Sequence, residues 1–408
     1  MTKRESIFMD HDELKTPCYV IYQHKLHENL YAIYTELAKR WDGNVRLGYS
    51  FKTNNFPYIL DYIKQEGFLA ETVSDDEYHL AIQHGFQPDQ VIYNGPQKTE
   101  QLLIEAINQN SIVNVDNLQD VELIEKNLHR INQNDPVIGL RVNVDLEALC
   151  PGETSAENGI SRLGLSVESL EFRQAVERLK RAGFSIAGLH MHYSTKTRSV
   201  RVFRELSRQA CQLIKEYELV DSISYIDIGG GFFKSSDPDV RPTPSEYAAC
   251  ITEELGKILN SSRVQVIIEP GASVIAASVE YVTRVINTRD VRGSRIVTMD
   301  GSSLDINPFM AKRMPVFYTS ELSDTVEKEQ IICGSTCIEG DRFADLHKHR
   351  QFKKGDLMII QNAGAYTMVY NNYFINTPPY VYAKEEDRYY LLRDKVRTGL
   401  FVHNQEVR

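Results

Sequence analysis

Several short stretches of this chain carry side chains suited to chemistry on a small molecule. Lys52 closes the run YSFK, and a lysine withdrawn from water loses its proton more readily, which frees an amine to attack a carbonyl. Gly229, Gly230 and Gly231 follow the apolar run YIDI, and three such residues let backbone N–H groups converge on an anion such as phosphate. Alone they suit a tight turn equally well, and they lack the spacing of a dinucleotide-binding loop. Glu269 ends another apolar run in IIEPG, where a carboxylate suits a protonated ring nitrogen or a structural ion pair. His190 and His192 alternate in HMHYST. Cys333 and Cys337 lie four apart with no second pair or nearby histidine, so no zinc site is expected and the chain is read as metal-free.

These residues share a placement. Apolar, β-rich runs recur at 45–52, 68–74, 91–95, 112–116, 137–144, 186–193, 225–231 and 264–270, separated by stretches of helical periodicity such as FRELSRQACQLIKEY. Eight strand–helix units predict a (β/α)8 barrel, α/β in class. A doubly wound sheet has the same local pattern, and the count of eight decides for the barrel. Barrel enzymes act at the C-terminal ends of their strands, and here those ends carry Lys52, Glu71, Ser74, Asn94, Arg141, Asn143, His190, His192, Asp227 and Glu269. One connection, 145–167, is longer and contains Pro151, Gly152 and Gly159, which suits an active-site flap. After Glu269 strands continue without helices of equal length, in VEYVTRVINTRDV, RIVTMDG, LMIIQNAGAY and PPYVYA. A second, mostly β domain is expected there, joined by TPCYVIY from near the N-terminus. The expected boundaries are 24–280 for the barrel, and 1–23 with 281–408 for the β domain.

The bulk composition narrows the function. A chain of 408 residues is long enough for two domains, and 42% hydrophobic with 25% charged residues is globular. A formal charge of −10 argues against a nucleic-acid partner. The opening MTKRESIFMDHDELK has no apolar core for a signal peptide, and no apolar run is long enough to cross a bilayer. The cysteines, 18, 150, 211, 250, 333 and 337, are scattered, so a reducing cytoplasm is expected.

With these motifs in order, the sequence resembles the fold-type III pyridoxal-phosphate decarboxylases, which act on diaminopimelate, ornithine, arginine or carboxynorspermidine. The likeness runs from TPCYVIY to TPPYVYA. YSFKTN resembles the family's YAxKAN and implies that Lys52 holds the cofactor. HMHYST resembles HxHxGS and implies that His192 stacks on the pyridine face, with Ser194 or Thr195 at the phosphate. IDIGGGF implies a phosphate loop of Gly229, Gly230 and Gly231. IIEPG implies Glu269, followed by Gly271, at the ring nitrogen. CGSTCIEGD resembles CGxxCxxxD, with Cys337 the catalytic cysteine, and NAGAY implies Tyr366 at the phosphate. The resemblance further implies decarboxylation through an external aldimine and a quinonoid, which Cys337 then protonates. It implies a homodimer in which Cys337 comes from the neighbouring subunit.

The departures concern the substrate. Ala272 stands in EPGAS where diaminopimelate decarboxylases usually carry arginine, and Ile338 stands where an acidic residue usually follows the cysteine. KRMPVFY resembles the segment that binds a distal carboxylate, with Arg313 displaced by one position. Arg313, Tyr318, Glu339 and Asp341 are the expected substrate contacts. A diaminopimelate-decarboxylase-like activity is the leading reading. A carboxynorspermidine-like or specialised-metabolite substrate is the alternative within the family. A racemase is disfavoured by Glu269, since alanine racemases pair the ring nitrogen with arginine. A non-catalytic cofactor-binding regulator is disfavoured by the β domain with its cysteine and GAY motifs.

Overall fold

A computed structural model of the chain describes residues 6–7, 13–132, 136–233, 242–308, 316–318, 325–370 and 373–395. Of the expected substrate contacts, Arg313 and the side chain of Tyr318 lie outside the described residues. The chain divides into two compact units, Asn29–Ser273, and Met1–Glu28 with Val274–Arg408.

The first unit is a closed barrel of eight parallel strands. These are β1 (Val45–Ser50), β2 (Leu69–Thr72), β3 (Val91–Tyr93), β4 (Ile112–Val115), β5 (Ile138–Asn143), β6 (Gly188–His190), β7 (Tyr225–Asp227) and β8 (Gln265–Ile268). They pair in sequence order, and β8 returns to β1 through Val266–Val45, Ile267–Arg46 and Ile268–Leu47. Strands covered on both faces need near-continuous apolar runs, and β2, β3 and β4 are buried at every position. The helices begin soon after the strand ends and are capped by their own sequence. Ser74 accepts from Glu77 N–H, Asn117 from Gln119 and Asp120, and Thr243 with Glu246 forms a reciprocal pair.

Tyr225 fills the barrel interior, packed with Leu69, Ile92, Ile112 and Ile267. It fits because β5 and β6 offer glycine opposite it. A Cβ on Gly139 would meet the Tyr225 hydroxyl at 2.0 Å, and one on Gly188 would meet its ring at 2.1 Å. The long 145–167 connection is more structured than its sequence suggests. It contains a helix, Leu146–Leu149, and a two-residue strand, Leu165–Ser166, which extends the sheet beside β5.

The second unit is built on a ten-stranded sheet. Cys18–Tyr22 joins it as expected, antiparallel to Val279–Val291 and parallel to Tyr380–Glu385. Lys25 belongs with this unit through a 3.0 Å ion pair to Glu280. The hairpin Val326–Cys333 with Arg342–Arg350 was not legible as strands, because much of it faces solvent and VEKEQ and DLHKHR read as polar. Conversely, the apolar run LMIIQNAGAY is a strand only over Leu357–Ile360. Asn362 and Tyr366, further along that run, take positive φ angles of 59° and 57°.

Candidate active site

Lys52 sits in a single turn, Phe51–Thr53, that follows β1 and buries the side chains on either side of the lysine. Its amine lies 2.7 Å from Glu71 Oε2 at the end of β2, and its side chain keeps 35% of its exposure. The apolar setting expected from YSFK is therefore replaced by an ion pair: Phe51 turns into the core and leaves the lysine beside a buried carboxylate. Ser50 Oγ donates to the same Glu71 oxygen at 2.5 Å.

Asn94, just past β3, donates through Nδ2 to Glu71 Oε1 at 3.0 Å and to Glu269 Oε1 at 2.6 Å. Glu269 follows β8 and meets His190 Nε2 at 3.1 Å through its other oxygen. Burial by itself would raise the Glu269 carboxyl, but His190, and after it Lys52, hold it below the ordinary carboxylate range. Asp227 behaves oppositely. Burial and then the charge of Glu269 push its carboxyl well above that range. Asp227 Oδ1 accepts from Gly229 N–H at 2.8 Å, while His190 Nδ1 is buried without a hydrogen-bond partner among the described residues. His190, Asp227 and Glu269 place ligating atoms within 4.8 Å of one another, at the base of the same site.

His192 Nδ1 accepts from Gly230 N–H at 3.0 Å, which requires that nitrogen to be unprotonated. Removal from water, and then the charge of Arg141, hold the imidazole well below its ordinary pKa, so the ring is neutral. The glycine loop touches both partners. A Cβ on Gly229 would lie 2.6 Å from His192 Nδ1, and one on Gly230 would lie 2.3 Å from the Glu269 carbonyl oxygen. Gly271 packs closely on Thr53 and Ser50, which brings the EPG turn beside Lys52. Ser194 is exposed, and Thr195 bridges to Thr154 of the 145–167 connection. That connection is further tied by Ser155 N–H to Ser194 O at 3.0 Å and Lys196 N–H to Glu153 O at 2.7 Å.

Within the barrel unit the structure thus brings Lys52, His192, Glu269 and the glycine loop together. Asn114 and Tyr225 also belong to this network and were not singled out from sequence. A lone asparagine inside the apolar run IVNVD was the available signal, because a buried amide needs polar partners.

The remaining predicted residues lie in the second unit. Cys337 and Glu339 are exposed on the turn between the hairpin strands, with Ile338 half-buried between them. Tyr366 is 41% exposed. Asp341 does not match its expected role as a substrate contact. It is 2% exposed, and its carboxylate takes five donors: Ser302 Oγ, Ser303 N and Oγ, and Thr336 N and Oγ, at 2.6–3.1 Å. Those bonds make it a clamp on the cysteine turn.

Residues 25–276 match the family model for the pyridoxal-dependent decarboxylase, pyridoxal binding domain. The chain belongs to this family. The decarboxylase is 26% identical to a diaminopimelate decarboxylase of Archaeoglobus fulgidus over 97% of this chain and 94% of that protein. A probable chloroplastic diaminopimelate decarboxylase of Oryza sativa is 27% identical over 84% of this chain and 70% of that protein. Among solved structures, diaminopimelate decarboxylase from M. jannaschii with L-lysine aligns with a TM-score of 0.82 at 22% identity, covering 96% and 92% of the two chains. The protein is a pyridoxal-phosphate-dependent amino-acid decarboxylase that resembles the diaminopimelate enzymes. Its barrel fits that cofactor. A primary amine, a carboxylate held ionised and a neutral imidazole converge beside a backbone surface where added Cβ atoms would collide. Among the described residues no helix is long and apolar enough to cross a membrane.

Proposed function

We propose that this decarboxylase removes the α-carboxylate of a diaminopimelate-like amino acid whose distal end differs from that of meso-diaminopimelate. The observation that carries the catalytic part is the chain of contacts from Lys52 through Glu71 and Asn94 to Glu269, with His192 on the glycine loop. Bound pyridoxal phosphate supplies an electron sink for the pair left when carbon dioxide departs. Lys52 is the amine that would hold the cofactor's aldehyde carbon. Glu269, ionised at neutral pH, holds a proton on the ring nitrogen. His192, neutral, covers the ring face without adding charge. Gly229, Gly230 and Gly231, with Ser194, Thr195 and Tyr366, take the phosphate, and Gly271 keeps the EPG turn close to Lys52. Cys337 gives a proton to the α-carbon.

In this reading residues 24–280 hold the cofactor, 1–23 and 281–408 carry Cys337 and Tyr366, and Cys337 acts across a homodimer. Cys337 supports that arrangement by being exposed, where Cys18, Cys150, Cys211 and Cys250 are buried and Cys333 is half-buried. The six free cysteines favour a reducing cytoplasm. Mixing inactive Lys52→Ala and Cys337→Ala chains should restore part of the activity, because a hybrid dimer has one intact site. Absence of recovery after demonstrated subunit exchange would place each site within one chain.

The substrate part rests on Ala272 and Ile338, which replace two polar residues, and on the engagement of Asp341 by Ser302, Ser303 and Thr336. Arg313, Tyr318 and Glu339 remain as the proposed distal contacts. A buried charge without its partner costs several kcal/mol, so meso-diaminopimelate should be a poor substrate. A decarboxylation screen of the holoenzyme tests this, covering meso-diaminopimelate, ornithine, lysine, arginine, carboxynorspermidine and larger carboxylated amino acids. A kcat/KM for meso-diaminopimelate of roughly 10⁴ M⁻¹s⁻¹ or above would show that Arg313 and Glu339 compensate and would make this a diaminopimelate decarboxylase.

A further inference from the structure

Glu71 and Glu269 are two carboxylates, each at most 4% exposed, and a single side chain joins them. Asn94, itself 2% exposed, gives one N–H to each. Its carbonyl oxygen points away and accepts from Asn114 Nδ2 at 2.8 Å. The Asn114 oxygen in turn accepts from the Tyr225 hydroxyl at 2.7 Å. Tyr225 is fixed by the barrel packing around it, with Gly139 and Gly188 beneath its ring. The relay has one consistent direction. Turning the Asn94 amide over would aim its oxygen at two carboxylates, and Asn114 would lose its acceptor at the same time.

We propose that Asn94 is a positioning residue that fixes Glu269 for the ring nitrogen of the cofactor and couples it to the Glu71–Lys52 pair. The inference rests on the reading of Glu269 given above. An amide suits the task for a chemical reason. It donates to both carboxylates without carrying a charge that would compete with the ring for Glu269, and without a titratable proton that would neutralise it. Asn114 and Tyr225 contribute by holding that amide in one orientation.

The test compares two ligands that share aldehyde and phosphate and differ only in the ring atom facing Glu269. Apo protein is titrated with pyridoxal phosphate and with its 1-deaza analogue, and the ratio of the two dissociation constants is read. Thermal stability of each apo variant is recorded alongside. Wild type should favour pyridoxal phosphate by about tenfold or more, the scale of a hydrogen bond to a charged group. Asn94→Ala should bring the ratio to within roughly threefold of unity, and Asn94→Ser, which keeps one donor, should give an intermediate value. A purely structural role would weaken both ligands equally and leave the ratio unchanged. An unchanged ratio in Asn94→Ala overturns the proposal. If that variant does not fold, the same result in Asn94→Ser overturns it. Absence of discrimination in wild type, or in wild type and Glu269→Gln alike, overturns the Glu269 reading itself and this inference with it. Discrimination that Glu269→Gln removes and Asn94→Ala keeps overturns the role of Asn94 alone.

Discussion

Lys52 and Lys98 each follow a barrel strand, β1 and β3, and each pairs with a buried carboxylate, Glu71 at 2.7 Å and Asp120 at 2.9 Å. Their surroundings differ. The Lys98 side chain is 0% exposed and also donates to the Gly95 carbonyl at 2.7 Å, with its amine 5.6 Å from the centre of the Tyr93 ring. Asp120 additionally accepts from Asp116 N–H at 3.0 Å. The Lys52 side chain is 35% exposed, and its carboxylate belongs to a network that reaches Glu269. One pair is sealed and acts as a clasp between the loop after β3 and the helix Leu118–Lys126. The other is open on the lysine side and firmly held on the carboxylate side, which is what a residue that must exchange covalent partners requires. A lysine–carboxylate distance alone does not distinguish the two; exposure of the lysine side chain does.

The sharpest way to break this comparison is to remove each lysine. Lys52→Ala should lower kcat by at least about a thousandfold, and borohydride should no longer fix the cofactor on the peptide that carries residue 52. Its folding stability should fall by no more than about 1–2 kcal/mol, because Glu71 keeps the Ser50 and Asn94 donors. Retention of turnover, or a labelled peptide elsewhere, would end the assignment.

Lys98→Met should do the reverse. Asp120, buried in the helix Leu118–Lys126, loses its cation, at a cost of about 3–5 kcal/mol in urea unfolding. The folded fraction should turn over near the wild-type rate. Adding Asp120→Asn should recover part of the loss, because a neutral amide is cheaper to bury than an unpaired carboxylate. A stability change below about 1 kcal/mol in the single variant would show that exposure is a poor guide to which pair is structural.

The smallest expected effect concerns Glu77, whose carboxylate accepts from Val73 N–H at 2.8 Å beside the Lys52–Glu71 pair. Burial pushes its carboxyl up to about 7, the Val73 N–H partly opposes this, and the charge of Glu71 adds to it. A folded-state value above the ordinary 4.5 means that the folded protein binds this proton more tightly. The stabilisation is therefore complete below the ordinary value and is lost as pH rises towards 7. Between those limits the wild type should lose on the order of 2 kcal/mol more than Glu77→Gln, measured by denaturant midpoints across pH. Parallel pH profiles would show that the open pair leaves Glu77 untouched.

The barrel was readable because each of its strands is a short apolar run and each helix that follows is periodic. That signal is strong when both faces of a strand are buried. The β unit was readable only in part, since the hairpin Val326–Cys333 with Arg342–Arg350 faces solvent and carries little apolar patterning. Lys52, His192, Glu269 and the glycine loop stood out because polar residues at the ends of apolar runs are unusual and fell on several strands at once. Asp341 shows the limit of motif reading: a carboxylate in the right sequence context takes five donors, two from Thr336 in its own turn and three from Ser302 and Ser303.

By itself, the sequence determined the strand count, the residue types at the strand ends and the family, all of which depend on local order along the chain. Which of two lysines beyond a strand stays open, which of two buried carboxyls is pushed up and which down, and that Asn94, Asn114 and Tyr225 form one relay were decided only in three dimensions. The physical reason is the same in each case. Solvation and hydrogen-bond partnership depend on groups far apart in sequence: Asn94 meets Glu269 across 175 positions, and Tyr225 meets Asn114 across 111.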